Sequence, residues 1–267
     1  MKIGPESAAA SAISASNANT ILVRGFDLVE DLIGQVSFTD YVWLLATGAK
    51  PTKVQSVILD ATLVAIAEHG LVPSVQASRL TLAAAPESFQ GAVAAGLLGC
   101  GSVILGASEA AGRFTTEALS LKRDDLAEAV RSALAKYRAE KRPIPGFGHP
   151  LHKESDPRAE KLFALADRLG VAGMHVETIR ETERQLPSAI GKPLRMNVSA
   201  AIPAVLLDAG YPLLALKGVP LLARAAGLVG HLLEETTRPI GFHMSRAAAA
   251  AIRYDGPAPA GFVQAEN

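Results

Sequence analysis

Apolar residues in this chain recur at helical rather than alternating spacing, and that period restricts the possible folds more than any other feature. Residues 53–68 set Val54, Val57, Ile58, Ala61, Leu63, Val64 and Ile66 around one broad face and run into His69-Gly70, where a helix should stop. Residues 124–140 open with two acids and place Leu126, Val130, Leu134 and Tyr137 on a stripe. That stripe is core, and the charges between its members form a solvated face. Extended-looking runs of β-branched and aromatic residues are confined to Thr20–Val23 and Tyr41–Leu45, and aromatics make up only 5% of the chain, so sheet should be minor. The expected class is all-α. No fixed-period repeat or Walker loop is present, and Gly99-x-Gly101 lacks the third glycine of a dinucleotide fingerprint.

At 267 residues and 49% apolar the chain can bury a sizeable core, as one large domain or two unequal ones. Lys plus Arg equals Asp plus Glu at 26 each, so no general field draws nucleic acid or an anionic membrane, and any anion site must be built locally. Cys100 sits between glycines with no charge nearby to activate it, which reads as a structural thiol in a reducing compartment. The segment MKIGPESAAASAISASNANTIL has no continuous apolar stretch of a secretory signal and no arginine of a transit peptide, so the expected location is the cytoplasm. No charge falls between Glu87 and Glu109, about a bilayer span, yet Gly91, Gly96, Gly99, Gly101 and Gly106 interrupt it. Small residues so spaced suit helices in close backbone contact, in a core or a subunit interface, rather than a membrane span. Residues 200–233 are also apolar, and Pro203, Pro212 and Pro220 are expected to cut them into short helices.

Polar chemistry is concentrated in PIPGFGHPLHKESDPRAEK, residues 143–161. Pro143 and Pro145 oppose helix, while Gly146 and Gly148 let backbone approach a ligand closely. Asp156 can cap a helix beginning at Pro157, with Ala159, Leu162, Phe163, Ala166 and Leu169 as its buried stripe and Gly170 as its end. Arg158 then adds a planar fork to a helix N-terminus, chemistry suited to a carboxylate or phosphate. Three readings of the histidines stand: His149, His152 and Asp156 as metal ligands, His149 as a loop residue satisfying a carbonyl, or His149 as an imidazole that exchanges a proton or binds substrate.

Pro145-Gly146-Phe147-Gly148-His149, followed by Lys153 and Asp156-Pro157-Arg158, resembles the catalytic loop of the citrate synthase superfamily, which includes citryl-CoA lyases. Other landmarks follow in order: Arg24-Gly25-Phe26-Asp27-Leu28, Ser37-Phe38, Leu44-Leu45 with Gly48, Glu68-His69-Gly70 with Pro73-Ser74, Asn197-Val198, Arg224-Ala225 and Arg238-Pro239. The resemblance implies a citrate synthase-like fold: a large helical domain (1–111 and 196–267) with an inserted smaller helical domain (112–195) carrying the His149 loop. It also implies a homodimer whose active sites use both chains. His69, His149, Arg158 and Arg224 would surround a di- or tricarboxylate, with Arg238 reaching in from the partner chain. Gly146, Phe147 and Gly148 would contact the adenine of an acyl-CoA, and Lys153 and Lys192 its phosphates. No metal and no permanently bound cofactor is implied; coenzyme A enters as a thioester substrate or product.

The resemblance departs at two positions. The family's second catalytic histidine, in a P-L-H-G-G-A-N-E-like segment, corresponds to Ile104, or Leu105 after a one-residue slip. Its catalytic aspartate follows Asn-Val, where this chain has Ser199. General base assistance is worth roughly 10² to 10⁴ in rate and an oxyanion donor about 10² to 10³, so condensation of acetyl-CoA should be crippled. Cleavage of a citryl-CoA-like thioester starts instead at a hydroxyl proton, within reach of His149 as base, with Ser199 as donor to the product enolate. The expectation is therefore a citryl-CoA lyase-like enzyme. The alternatives are a catalytically silent carboxylate- and CoA-binding homologue, or a citrate synthase-type acyltransferase with altered catalytic residues.

Overall fold

The structure is a computed structural model that describes residues 10–101, 106–121, 124–148 and 154–263. His149, His152, Lys153, Ile104 and Leu105 lie outside the described residues. Among the described residues the chain is all-α apart from three short antiparallel strands near its start. Packing divides it into two compact units, Met1–Thr62 with Ser108–Leu216 and Leu63–Ala107 with Lys217–Asn267.

In the first unit, β1 (Ser14–Ser16), β2 (Ile21–Val23) and β3 (Phe26–Asp27) pair in that order. Arg24 and Gly25, both at positive φ, make the tight turn between β2 and β3. The Arg24 guanidinium then donates from Nε and Nη2 to Leu45 O, a free carbonyl at the end of α1 (Phe38–Thr47). Tyr41–Leu45, extended-looking in sequence, lies inside α1. The Ser37 hydroxyl caps that helix at Asp40 N, and Gly48 closes it in the left-handed conformation, so the caps outweigh the strand preference of the residues between them.

The helices α5 (Gly106–Leu121), α6 (Leu126–Ala139) and α8 (Met174–Ile190) bury Phe114, Val130, Leu134, Tyr137 and Leu186 as a common core. Leu126, expected on that stripe, packs at its edge. The helix α7 (Pro157–Arg168) begins at the Asp156 cap, with Ala159, Leu162, Phe163 and Ala166 buried and Gly170 turning the chain away at φ 66°. Both α7 and α8 pack on α9 (Val198–Asp208), which is buried almost from end to end. Asp208 at its end receives Gly173 N, His175 N and Val176 N, and so caps α8.

In the second unit, α3 (Pro73–Ala84), α4 (Phe89–Leu98), α10 (Gly218–Thr237) and α11 (Gly241–Ala251) pack together, with the end of α2 (Lys53–Ala67) against α10. The small-residue reading of 87–109 holds at Gly96, where an added Cβ would meet Ser74 O at 2.9 Å and a Leu228 methyl at 2.6 Å. Cys100 is buried beside it, its thiol 3.4 Å from Gly96 O. Of the three prolines expected to cut 200–233, Pro212 alone falls at a break, between α9 and a short turn at Leu213–Ala215. Pro203 sits inside α9, and Pro220 lies in the first turn of the 20-residue α10, where its missing N–H has no helical partner to lose. The stretch Leu213–Thr237 is long and apolar enough to cross a bilayer by length and composition, but it holds Arg224 and Glu235 buried within the fold.

Candidate functional site

The first unit brings Gly146, Phe147, Gly148 and Ser199 to the start of α9, next to Asp156 and Arg158. Gly146 is needed there: at φ 84° it presses on the first turn of α9, and a Cβ would come within 2.6 Å of the Ala200 Cβ. Asn197 ties the strip down, donating from its backbone N to Gly146 O (2.9 Å) and from Nδ2 to Gly148 O (2.5 Å). Gly148 N donates to Arg195 O at 2.7 Å, and the Phe147 ring packs on the Phe114–Leu186 core.

Asp156 joins two helix starts through one buried carboxylate. Its Oδ1 accepts from Arg158 N and Nε, and its Oδ2 from Arg158 Nη2 (2.9 Å) and Val198 N (2.9 Å). Burial pushes this carboxyl up, but the Arg158 guanidinium and the Val198 N–H outweigh it and hold its pKa below the usual range. The Arg158 fork, expected to face a ligand, is thus bidentate to its own helix cap.

Ser199 is the second residue of α9, half-buried, and its hydroxyl has no hydrogen bond to a described residue. The amides around it are all used within the chain: Val198 N by Asp156, Ser199 N by Asn197 Oδ1, and Ala200 N by Asn197 O. The hydroxyl is therefore the donor this helix start has left to offer. Lys192 lies exposed on the turn after α8, next to Gly191 at φ 72°.

In the second unit, His69 follows the end of α2, half-buried, with Glu68 and Gly70 on either side. Glu68 Oε1 accepts from His69 N (2.8 Å) and Gly70 N (2.5 Å), which fixes the turn. Gly227 lets α10 lie against it, since a Cβ there would be 2.2 Å from Ala67 O. Arg224 and His231 stand three residues before and four after that glycine, on the same face of α10. Arg224 is 3% exposed, and its Nε and Nη1 have no hydrogen-bond partner among the described residues. Arg238, at the end of α10, is 81% exposed and only 3.6 Å from Glu234. Among the described residues, no group of three or more His, Cys, Asp or Glu gathers to hold a metal ion.

Sequence reading missed Arg79 and His231. Arg79 is fully buried, donating to Glu235 Oε2 (2.6 Å), Glu234 Oε2 (2.8 Å) and Arg238 O (3.3 Å), and it lies 3.2 Å from His231 Nδ1. The available signal was the spacing of Arg224, Gly227 and His231 on one helical face.

The family described as "Citrate synthase, C-terminal domain" matches residues 46–241, and the chain belongs to the citrate synthase family. A citryl-CoA lyase from Hydrogenobacter thermophilus is similar at TM-score 0.85 and 32% identity, covering 97% of this chain and 98% of that one. A citrate synthase from Haloferax volcanii is 28% identical over 214 residues, 79% of this chain and 55% of that protein. The chain spans about half the length of the curated relatives it matches. An ATP citrate lyase from Methanothrix soehngenii in complex with citrate and coenzyme A shares the fold at TM-score 0.75 and 20% identity, over 96% of this chain and 43% of that one. Family members are enzymes, and the fold is the citrate synthase and citryl-CoA lyase fold.

Proposed function

We propose that this chain is an acyl-CoA carbon–carbon lyase of the citryl-CoA lyase type, cleaving a 3-hydroxy polycarboxyl-CoA thioester to an acyl-CoA and a 2-oxo acid. The observation that carries the reading is Arg224. A buried guanidinium whose Nε and Nη1 have no partner among the described residues costs the fold several kcal/mol, and an anionic carboxylate is the kind of partner that offsets it. Similarity to a citryl-CoA lyase at 32% identity and TM-score 0.85 supports the lyase form.

In this scheme His149 takes the proton of the substrate hydroxyl, and the carbon–carbon bond breaks as that oxygen becomes the carbonyl of the 2-oxo acid. The bonding electrons pass to the thioester as an enolate, whose carbon takes a proton from solvent to give the acyl-CoA, while His149 returns the hydroxyl proton to solvent. Ser199 donates a hydrogen bond to the enolate oxygen. A serine hydroxyl cannot take a proton from an acyl-CoA methyl without an activating base, which is why the reading favours cleavage. His69, Arg158, Arg224 and the partner subunit's Arg238 bind carboxylates, while Gly146, Phe147, Gly148, Lys153 and Lys192 take the coenzyme A moiety. The scheme includes a homodimer in the cytoplasm, with residues 112–195 as the small domain and no permanently bound cofactor.

The test is incubation with citryl-CoA, following acetyl-CoA, 2-oxo acid and free thiol separately. The lyase reading predicts equal yields of acetyl-CoA and oxaloacetate, with Ser199→Ala about 10²-fold slower. Free thiol alone means hydrolysis and overturns it. Ser199 in the place of the family's catalytic aspartate favours a second reading, a silent carboxylate and CoA binder, which predicts stabilisation by citrate without turnover.

A further inference from the structure

His231 is half-buried, unused by the scheme above, and held between two groups of opposite charge. Arg79 Nη1 lies 3.2 Å from His231 Nδ1. A guanidinium only donates, so Nδ1 must accept, and the ring is neutral with its proton on Nε2. Nε2 lies 2.9 Å from Glu68 Oε2, in a bent contact off the N–H axis. The other oxygen of Glu68 holds the amides of His69 and Gly70. Arg79 is itself anchored by Glu235, whose Oε1 accepts from Ile240 N and Gly241 N at the start of α11.

We propose that Arg79, His231 and Glu68 form a positioning relay that sets the conformation of the His69 turn and so the affinity for polycarboxylate. The inference rests on the reading of His69 as a substrate-binding residue. None of the three is a catalytic residue in it. Glu68 acts through the backbone of His69, His231 acts by orienting Glu68, and Arg79 acts by choosing the tautomer of His231. The charged groups around the imidazole are Glu68 beyond α2, Arg79 on α3, and Glu234, Glu235 and Arg238 on and after α10.

The experiment is citrate titration calorimetry on the full chain, with thermal midpoints and long-range imidazole ¹⁵N spectra. Glu68→Ala and His231→Leu should each weaken citrate binding about tenfold. His231→Gln, which keeps a donor where Nε2 stands, and Glu68→Gln, which keeps an acceptor oxygen for the two amides, should stay within threefold of wild type. The wild-type spectrum should show His231 neutral and protonated on Nε2, a result that needs no variant to fold. Loss of binding in His69→Ala with wild-type binding in Glu68→Ala and His231→Leu overturns the relay alone. Wild-type binding in His69→Ala overturns the reading on which it rests. A wild-type ring protonated on Nδ1 at neutral pH also overturns the relay.

Discussion

Arg79 and Arg224 are both buried in the second unit, yet their surroundings are opposite. Arg79 spends its guanidinium on Glu235, Glu234, the Arg238 carbonyl and His231. Arg224, on the helix that supplies most of those partners, leaves Nε and Nη1 without any among the described residues. A protein that surrounds one buried arginine with carboxylates can surround another. The difference sets Arg79 as a fastening of the fold, and on the proposed reading it leaves Arg224 as the cation for a carboxylate ligand. The same contrast separates Arg158, closed on Asp156, from Arg224.

The contrast breaks if removing Arg79 proves harmless. Arg79→Met strands Glu235 in the interior and should cost about 3–5 kcal/mol in denaturant unfolding. Next in size is Asp156→Ala, which takes away a helix cap, the Val198 amide's acceptor and the partner of Arg158; about 2–4 kcal/mol should be lost.

Acid unfolding sharpens the comparison further. Burial pushes the Glu235 carboxyl up, but the Gly241 and Ile240 amides and Arg79 bring it below the ordinary range, and Asp156 is lowered too. For a lowered carboxyl the stabilisation is complete above its unfolded pKa, about 3.9 to 4.3, and disappears as pH falls through the lower folded value. Stability should thus fall steadily below pH 4, with a shallower slope in Arg79→Met. The smallest effect is expected at Asp125→Ala, an exposed cap of α6 whose Oδ1 accepts Glu128 N, at about 1 kcal/mol. It supplies a baseline against which the buried groups can be judged.

Local signals carried much of the fold. The 124–140 stripe became α6 behind its Asp125 cap, 53–68 became α2, and Asp156-Pro157 opened α7 as its cap and first residue. Tyr41–Leu45 misled because β-branched and aromatic residues favour strands only weakly, and Ser37 and Gly48 bracket a helix. Prolines misled because Pro220 falls where a helix tolerates it and because burial on nearly every side holds α9 together around Pro203.

At the site, the loop glycines and Arg158 were visible as chemistry. The closure of Arg158 on Asp156 was not, since the sequence does not say whether the fork turns back to its own cap or out to a ligand. Arg79 was hidden for a plainer reason: its partner Glu235 lies 156 residues away. Nothing local tells a buried arginine from a solvated one.

If Arg224 awaits a carboxylate, citrate titration calorimetry on wild type and Arg224→Met will show it. Each charged hydrogen bond to the guanidinium is worth about 1.5–3 kcal/mol, so losing two should weaken citrate about a hundredfold or more. Removing a buried unpaired charge should leave the ligand-free thermal midpoint unchanged or higher. Wild-type affinity for citrate in Arg224→Met, with a lowered thermal midpoint, contradicts the account.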